Sequence, residues 1–435
     1  MHLQKKLGIM RDAYDANNSQ SLVNTLKKIE STRVREGMFI HELCSSWLNT
    51  PFWKKSFLVD DQATIDKIAQ SGVLEVWIDT AKGDDVASDV DEVEAAAAVL
   101  HDADVAQQRL DFGTAAASMN DELSRAAVIV DRSRSAVISM FNEARMGKAV
   151  DADSAVSLVE DIASSVMRNP GALIGLARLK TADDYTYMHS VAVCALMISL
   201  ALQLGLDEAQ VRDAGLAGLL HDIGKMAIPM AILNKPGKLS DDEFNAIKLH
   251  PEAGYQILRK SDQVCAMVLD VCRHHHEKLD GSGYPMGLAG EQISLYSRMG
   301  AICDVYDAIT SNRPYKSGWC PSESIHKMAG WCGTHFDERI FQAFVRSIGI
   351  YPVGTLVRLQ SGRLGVVIEQ QIGKSLLSPK VRVFYLIQFD HIITPELIDL
   401  ADPKVHDAII GHEKASTYGL TNIDRYWIGE GVETG

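Results

Sequence analysis

The sequence predicts a multidomain α+β chain: a small mixed α/β N-terminal module, an all-α central domain and a small β-rich C-terminal domain. Three observations carry this. From about Ala152 to Ile348 the pattern stays helical and few strands are credible. After Tyr351-Pro352-Val353-Gly354 the texture changes to short β-branched runs around turn residues. Ahead of residue 80, strand-like and helix-like segments alternate at short range. With 435 residues, 46% of them hydrophobic, the chain is long enough to bury several cores.

Each element follows from local signals. In the first module, residues 1–85, Ser56–Val59 and Leu74–Asp79 read as strands, and Asp60-Asp61 caps an amphipathic helix running to about Gln70. Lys82-Gly83-Asp84-Asp85-Val86-Ala87-Ser88 is polar and acidic, the composition of a linker. Residues 86–150 form a helical linker, since Val93 to about Met146 is rich in Ala, Leu, Val and Glu. The central domain, 151–348, breaks at Asn169-Pro170-Gly171, at Asn234-Lys235-Pro236-Gly237 and at the glycine-rich turn of 281–290. In the C-terminal domain, 349–435, Thr355–Leu359 and Leu364–Glu369 flank Gln360-Ser361-Gly362-Arg363 as a hairpin, and Val381–Phe389 is a third strand.

A net charge of −14 argues against a protein that wraps nucleic acid polymers, which needs a basic face. It leaves room for a small phosphorylated ligand held by local cations. Seven cysteines without paired CxxC spacing read as reduced thiols of a cytoplasmic protein. Met1-His2-Leu3-Gln4-Lys5-Lys6 has no apolar stretch behind its lysines and so does not read as a signal peptide. The most apolar run, Val191 to Leu202, is too short to span a bilayer and reads as a core helix, so no membrane span is expected.

The chemistry gathers in the central domain. The run His274-His275-His276-Glu277-Lys278-Leu279-Asp280-Gly281-Ser282-Gly283-Tyr284-Pro285 follows an upstream His221-Asp222 pair, with His189, His250 and Asp304 in apolar or amphipathic segments around them. A carboxylate buried at Asp222, at the end of an apolar helix, demands a metal or a paired base. Three consecutive histidines point about 100° apart on a helix, so they do not all face one ion. Imidazole with carboxylate suits first-row metals. So many ligands exceed the needs of one tetrahedral ion and propose two.

In order, HDIGK, LNKPGKL, HPEAG, HHEKLDGSGYP and DVYDAITSNRPYK resemble the HD-GYP family of cyclic di-GMP phosphodiesterases over roughly residues 175–345. Val34-Arg35-Glu36-Gly37-Met38-Phe39, with Trp47 ahead of Pro51-Phe52, is similar to a domain of unassigned role found before many such domains. The resemblance implies an HD-type helical catalytic domain. It implies that His189, His221, Asp222 and Asp304 hold one metal, and that Asp222 bridges to a second held by His250, His275 and His276. His274 falls outside the motif. Some members carry a Glu where this chain has Tyr185, which helps to bind a third metal; a binuclear site is therefore expected, with Asp183 or Asp184 as the available substitutes.

The implied cofactors are two divalent transition-metal ions, iron or manganese first, with nickel, cobalt or zinc also fitting. The implied reaction is attack of a metal-bridging hydroxide on one phosphodiester of cyclic di-GMP, giving pGpG and in some members GMP. Lys225 is expected at a phosphoryl oxygen or the leaving group, and Arg313 and Lys316 at phosphate. Lys235 and Lys238 are weaker phosphate candidates. Tyr284 is expected to stack on guanine or to offer a docking surface. Gly281, Gly283 and Pro285 shape a tight turn, and Glu277 and Asp280 orient imidazoles or brace the loop. A diguanylate cyclase docking on the GYP loop and a homodimer are the implied protein partners. Two rivals stand beside this reading: action on another cyclic dinucleotide, and a catalytically silent scaffold.

Overall fold

In the computed structural model, residues 26–43, 56–70, 75–80, 82–84, 116–179, 185–235, 237–261, 263–311, 318–371 and 373–428 are described. They fall in two compact units, Met1–Glu92 and Val93–Gly435. Trp47, Pro51 and Phe52, the stretch 93–115, Asp183, Asp184, Arg313 and Lys316 lie outside the described residues, as does the side chain of Tyr185.

In the first unit, β1 (Leu26–Glu30), β2 (Phe39–Leu43), β3 (Phe57–Leu58) and β4 (Glu75–Asp79) form an antiparallel sheet in the order β1-β4-β2-β3. The expected strands are β3 and β4; β1 and β2 were not read from the sequence. Helix α1 (Gln62–Gln70) follows Asp61, whose carboxylate accepts from the Thr64 amide at 2.7 Å. Val76 and Ile78 alternate inward on β4 and meet Ile40, Met38 and Ile68 in a small core.

The second unit begins with α2 (Met119–Arg145), capped by Ser118, and α3 (Ala152–Arg168), capped by Asp151. Asn169 accepts from Gly171 and Pro170 occupies the first turn of α4 (Pro170–Arg178), which is why the chain breaks there yet stays helical. Helix α5 (Tyr185–Gln203) is apolar on every side. It is longer than the Val191–Leu202 run: Thr186–Gln203 is long and apolar enough to cross a membrane, with a mean hydropathy of 1.4, but 78% of it is buried inside the fold. It is the central helix of the core.

Helix α6 (Glu208–Leu220) starts in an Asp207/Gln210 capping box and runs into His221-Asp222 and a 3-10 turn, Ile223–Ala227. Then follow α7 (Met230–Leu233), α8 (Asp241–Ile247), α9 (His250–Leu258), α10 (Ala266–His274), α11 (Leu295–Thr310), α12 (Pro321–Ala329) and α13 (Glu338–Ile348).

The C-terminal residues build a five-stranded antiparallel sheet in the order β8-β7-β6-β5-β9. The expected hairpin is β5 (Leu356–Leu359) and β6 (Arg363–Glu369), paired through Val357 and Gly365. The third strand, β7 (Lys380–Leu386), stops earlier than expected because Ile387–Phe389 turns into a 3-10 helix. Strands β8 (His391–Asp399) and β9 (Ile409–His412) were missed. The inner face of the sheet shares one hydrophobic core with the helices: Leu356, Val366, Phe384 and Trp427 belong to the cluster that holds Val191, Leu219 and Ile302. Gly175 on α4 lies against Trp427, and Asn169 donates to Glu369 at 3.1 Å.

Candidate metal centre

Five segments bring the expected ligands together. His189 sits in the first turns of α5, His221 and Asp222 at the end of α6, and His250 at the start of α9. His275 and His276 stand just past the end of α10, and Asp304 lies in the middle of α11. His189, His221, Asp222, His250 and His275 are at most 2% exposed, and Asp304 is 7% exposed. Donor atoms of His189, His221 and Asp304 lie within 4.8 Å of one another, as do those of His250, His275 and His276.

Backbone packing explains the convergence. Gly224 follows Asp222 in the 3-10 turn, and a Cβ there would stand 1.9 Å from the carbonyl oxygen of His250 and 2.4 Å from the Gly254 amide. Only glycine lets the His221-Asp222 segment reach α9 this closely. Cys272 on α10 then donates its thiol to the His221 carbonyl at 3.3 Å.

The imidazoles are held in one tautomer. Nδ1 of His221 donates to the Gly218 carbonyl at 2.8 Å, that of His250 to Ile247 at 2.7 Å, and that of His275 to Val271 at 3.1 Å. A carbonyl only accepts, so each Nδ1 carries the proton and each Nε2 of the neutral ring presents a lone pair. His189 differs: its Nδ1 lies 2.6 Å from Asp307 Oδ2 and its Nε2 2.9 Å from Asp304 Oδ1, so both ring nitrogens face carboxylates. These Nε2 atoms face one another: His221 to His189 at 3.3 Å and His250 to His275 at 3.4 Å. The facing lone pairs of His250 and His275 repel at that range unless a cation sits with them.

Asp222 stands between the two sets. Its Oδ2 is 3.5 Å from His189 Nε2 and 3.4 Å from His221 Nε2, while its Oδ1 is 3.2 Å from His250 Nε2 and 3.9 Å from His275 Nε2. Oδ1 is buried with no hydrogen bond of proper geometry, a cost a cation would remove. The donor set of imidazole and carboxylate, the aligned lone pairs and the orphan oxygen all fit two first-row divalent ions.

The electrostatics agree. Burial pushes His275 well below the ordinary imidazole range, with His276 and His221 adding to it. Burial likewise brings His276 to about 3, opposed by Asp304 and aided by His250. Burial alone would lower His189, but hydrogen bonds to Asp304 and Asp307 raise it. Burial would raise Asp222 and Asp304, yet Lys225 and His221 in the first case and His189 in the second hold them well below the usual carboxylate range. The centre therefore presents anionic carboxylates and two imidazoles that stay neutral, the forms that bind metal.

Lys225 reaches back three residues to pair with Asp222 Oδ2. Lys235 pairs with Glu243 at 2.6 Å, and Lys238 is exposed. The Glu277 carboxylate accepts from the Met286 amide at 2.7 Å and the Leu288 amide at 3.1 Å, so it braces the GYP loop and is not bonded to an imidazole among the described contacts. Asp280 accepts from Ser282 at 2.8 Å and also shapes the loop. A Cβ on Gly283 would stand 2.5 Å from the Lys278 amide nitrogen, and Tyr284-Pro285 is a cis peptide bond. The Tyr284 ring stacks on His276, centroids 4.7 Å apart. His274 turns away from the centre to Asp270 at 2.8 Å.

Sequence reasoning missed Asp307. It lies three residues after Asp304, one helical turn along an apolar helix, and is 2% exposed. The repeat of a carboxylate at that spacing was the available signal. Ser311 donates to its second oxygen at 3.1 Å.

Residues 158–340 match the model of the HD domain, and residues 26–155 match a domain of unknown function, DUF3391. A cyclic di-GMP phosphodiesterase of Pseudomonas aeruginosa is 53% identical over 411 residues, covering 94% of this chain and 97% of that one. The chain belongs to the HD-GYP family. A cyclic di-GMP phosphodiesterase response regulator of Xanthomonas campestris is 46% identical over 39% of this HD-GYP chain and 47% of its own. A 3'3'-cGAMP-specific phosphodiesterase of Vibrio cholerae is 40% identical over 38% of each.

Proposed function

We propose that the chain is a metal-dependent phosphodiesterase that hydrolyses cyclic di-GMP to pGpG, with GMP as the product of a second cut. The observation that carries this is the centre itself: paired Nε2 atoms on either side of a carboxylate that turns one oxygen to each pair. The naming of the 53%-identical relative supports the substrate. In this reading His189, His221, Asp222 and Asp304 hold one ion, and Asp222, His250, His275 and His276 the other. Iron or manganese are the proposed ions. When bound, two divalent ions lower the pKa of water and offset charge on a phosphoryl oxygen.

The chain's own residues do the rest. Lys225, fixed by Asp222, places an ammonium where a phosphoryl or leaving oxygen gains charge. Arg313 and Lys316 follow the Asp304 helix and are proposed to bind phosphate. Tyr284, on the rim, is proposed as a substrate contact through its outward edge. The GYP loop, with Met286 exposed, is the proposed docking face for a diguanylate cyclase. Residues 1–85, 86–150, 151–348 and 349–435 are proposed as regulatory module, helical linker, catalytic domain and β-rich domain of a cytoplasmic enzyme.

The test is product analysis on anaerobically purified, metal-assayed protein. Metal-dependent formation of pGpG or GMP, lost in Asp222→Ala, is the expected result. The cGAMP-specific relative makes 3'3'-cGAMP the second substrate to assay; faster turnover of it than of cyclic di-GMP would reverse the substrate assignment. No metal uptake and no turnover of either after reconstitution would favour the scaffold.

A further inference from the structure

Lys248 stands directly after α8 and two residues before His250, so its backbone is tied to the metal centre. Its amide donates to the Phe244 carbonyl at 3.0 Å, which closes the helix. Its ammonium lies over two ring faces, 4.8 Å from the Phe244 centroid and 5.6 Å from that of Tyr284. The Tyr284 ring in turn stacks on His276. One aromatic ring thus separates a cation from a metal-centre imidazole.

Two other lysines of this region are neutralised, Lys225 by Asp222 and Lys235 by Glu243. Among the described residues no carboxylate lies within ion-pair distance of Lys248, although the chain carries a net charge of −14. Phe244 under the ammonium, the adjoining Leu249, and Met286 of the GYP loop are 46%, 63% and 57% exposed. A lysine over ring faces is held by about 0.5–1 kcal/mol at an exposed site, less than a hydrogen bond to an anion offers. It is free to leave the rings for an incoming anion.

A cyclic dinucleotide has two phosphodiesters, and only one can react at the metal centre at a time. We propose that Lys248 binds the phosphodiester that stays outside the centre, while Phe244 and Tyr284 carry the ammonium before substrate arrives. This rests on the reading of the chain as a cyclic di-GMP phosphodiesterase. The competing role is a cation that only complements the C-terminal end of α8.

The experiment compares full-length, metal-loaded wild type with Lys248→Ala and Lys248→Arg. Two substrates are used: cyclic di-GMP, and bis(p-nitrophenyl) phosphate, which has a single phosphodiester. Metal content is measured for every variant. Lys248→Ala should raise KM for cyclic di-GMP about tenfold or more, as for a lost hydrogen bond to a charged group, with a much smaller change in kcat. Lys248→Arg should recover part of it. The loss in kcat/KM for bis(p-nitrophenyl) phosphate should be far smaller. An unchanged KM for cyclic di-GMP overturns the proposal. So does a parallel loss on both substrates, or a fall in metal content, because either places the residue in the frame of the centre. If wild type cleaves bis(p-nitrophenyl) phosphate but not cyclic di-GMP, the functional reading fails and the role of Lys248 falls with it.

Discussion

Replacing Asp307 tests whether the metal centre depends on the group that fixes an imidazole from behind. Asp307 touches His189 at 2.6 Å on the ring nitrogen that faces away from the centre. Asp307→Ala removes the acceptor that holds Nδ1 and keeps Nε2 aimed inward. Loss of such an outer partner typically costs 10- to 100-fold in metal affinity, or roughly 1.4–2.8 kcal/mol. The cost should fall on one ion only. His250 and His275 have their own carbonyl acceptors, so the second position should load as in wild type. Competition with a fluorescent chelator should therefore show one weakened and one nearly normal site. Asp307→Asn keeps an acceptor oxygen and loses the charge, so it should fall between wild type and Ala. In a His189→Ala background Asp307→Ala should add little, because the two act through one contact. An additive loss in that double variant, or equal weakening of both ions, would refute the reasoning.

Three further outcomes follow from contacts already described. Gly224→Ala forces a Cβ onto the His250 carbonyl and should cost about 1–3 kcal/mol in a urea melt, together with metal binding. Glu277→Gln leaves one acceptor oxygen for two amides, so Met286 or Leu288 should exchange hydrogen faster, with a local cost of about 1 kcal/mol; unchanged exchange at both would remove the bracing role. Glu122 is buried, which would raise its pKa, but hydrogen bonds from Arg168 and Ser165 hold it below the ordinary glutamate range. A carboxyl with a depressed folded pKa stabilises above its unfolded value, and that contribution is lost as pH falls through the folded one. Wild type should thus lose stability below about pH 4, and Glu122→Gln, less stable at neutral pH, should show a shallower acid slope.

The His/Asp cluster was legible because its members are rare residue types in apolar surroundings, where a bland explanation is costly. His221-Asp222 at the end of an apolar helix is such a case, and Asp222 lies between the two pairs of imidazoles. Asp307 was not legible by the same logic, since a carboxylate beside Asp304 reads as one more residue of the motif. The breaks at Asn169-Pro170-Gly171 and Asn234–Gly237 were legible from turn chemistry. Strand β8 was not: His391–Asp399 contains Pro395 and is largely exposed on both faces, so it lacks the alternation that marks a half-buried strand. Strand β1 was hidden by Lys27-Lys28 in its middle. The Tyr284 ring was expected to offer itself to a ligand; it is occupied by His276 on one face, a contact that no sequence spacing encodes.

The common core of helices and C-terminal sheet has a mechanical meaning. Trp427, Val353 and Glu369 press on α4 and Asn169, and α4 packs beside the helix that carries His189. The sheet and that helix belong to one close-packed cluster, and close-packed interiors yield little. A substitution that loosens the sheet at Trp427 is therefore expected to loosen the seat of the helix that carries His189 as well.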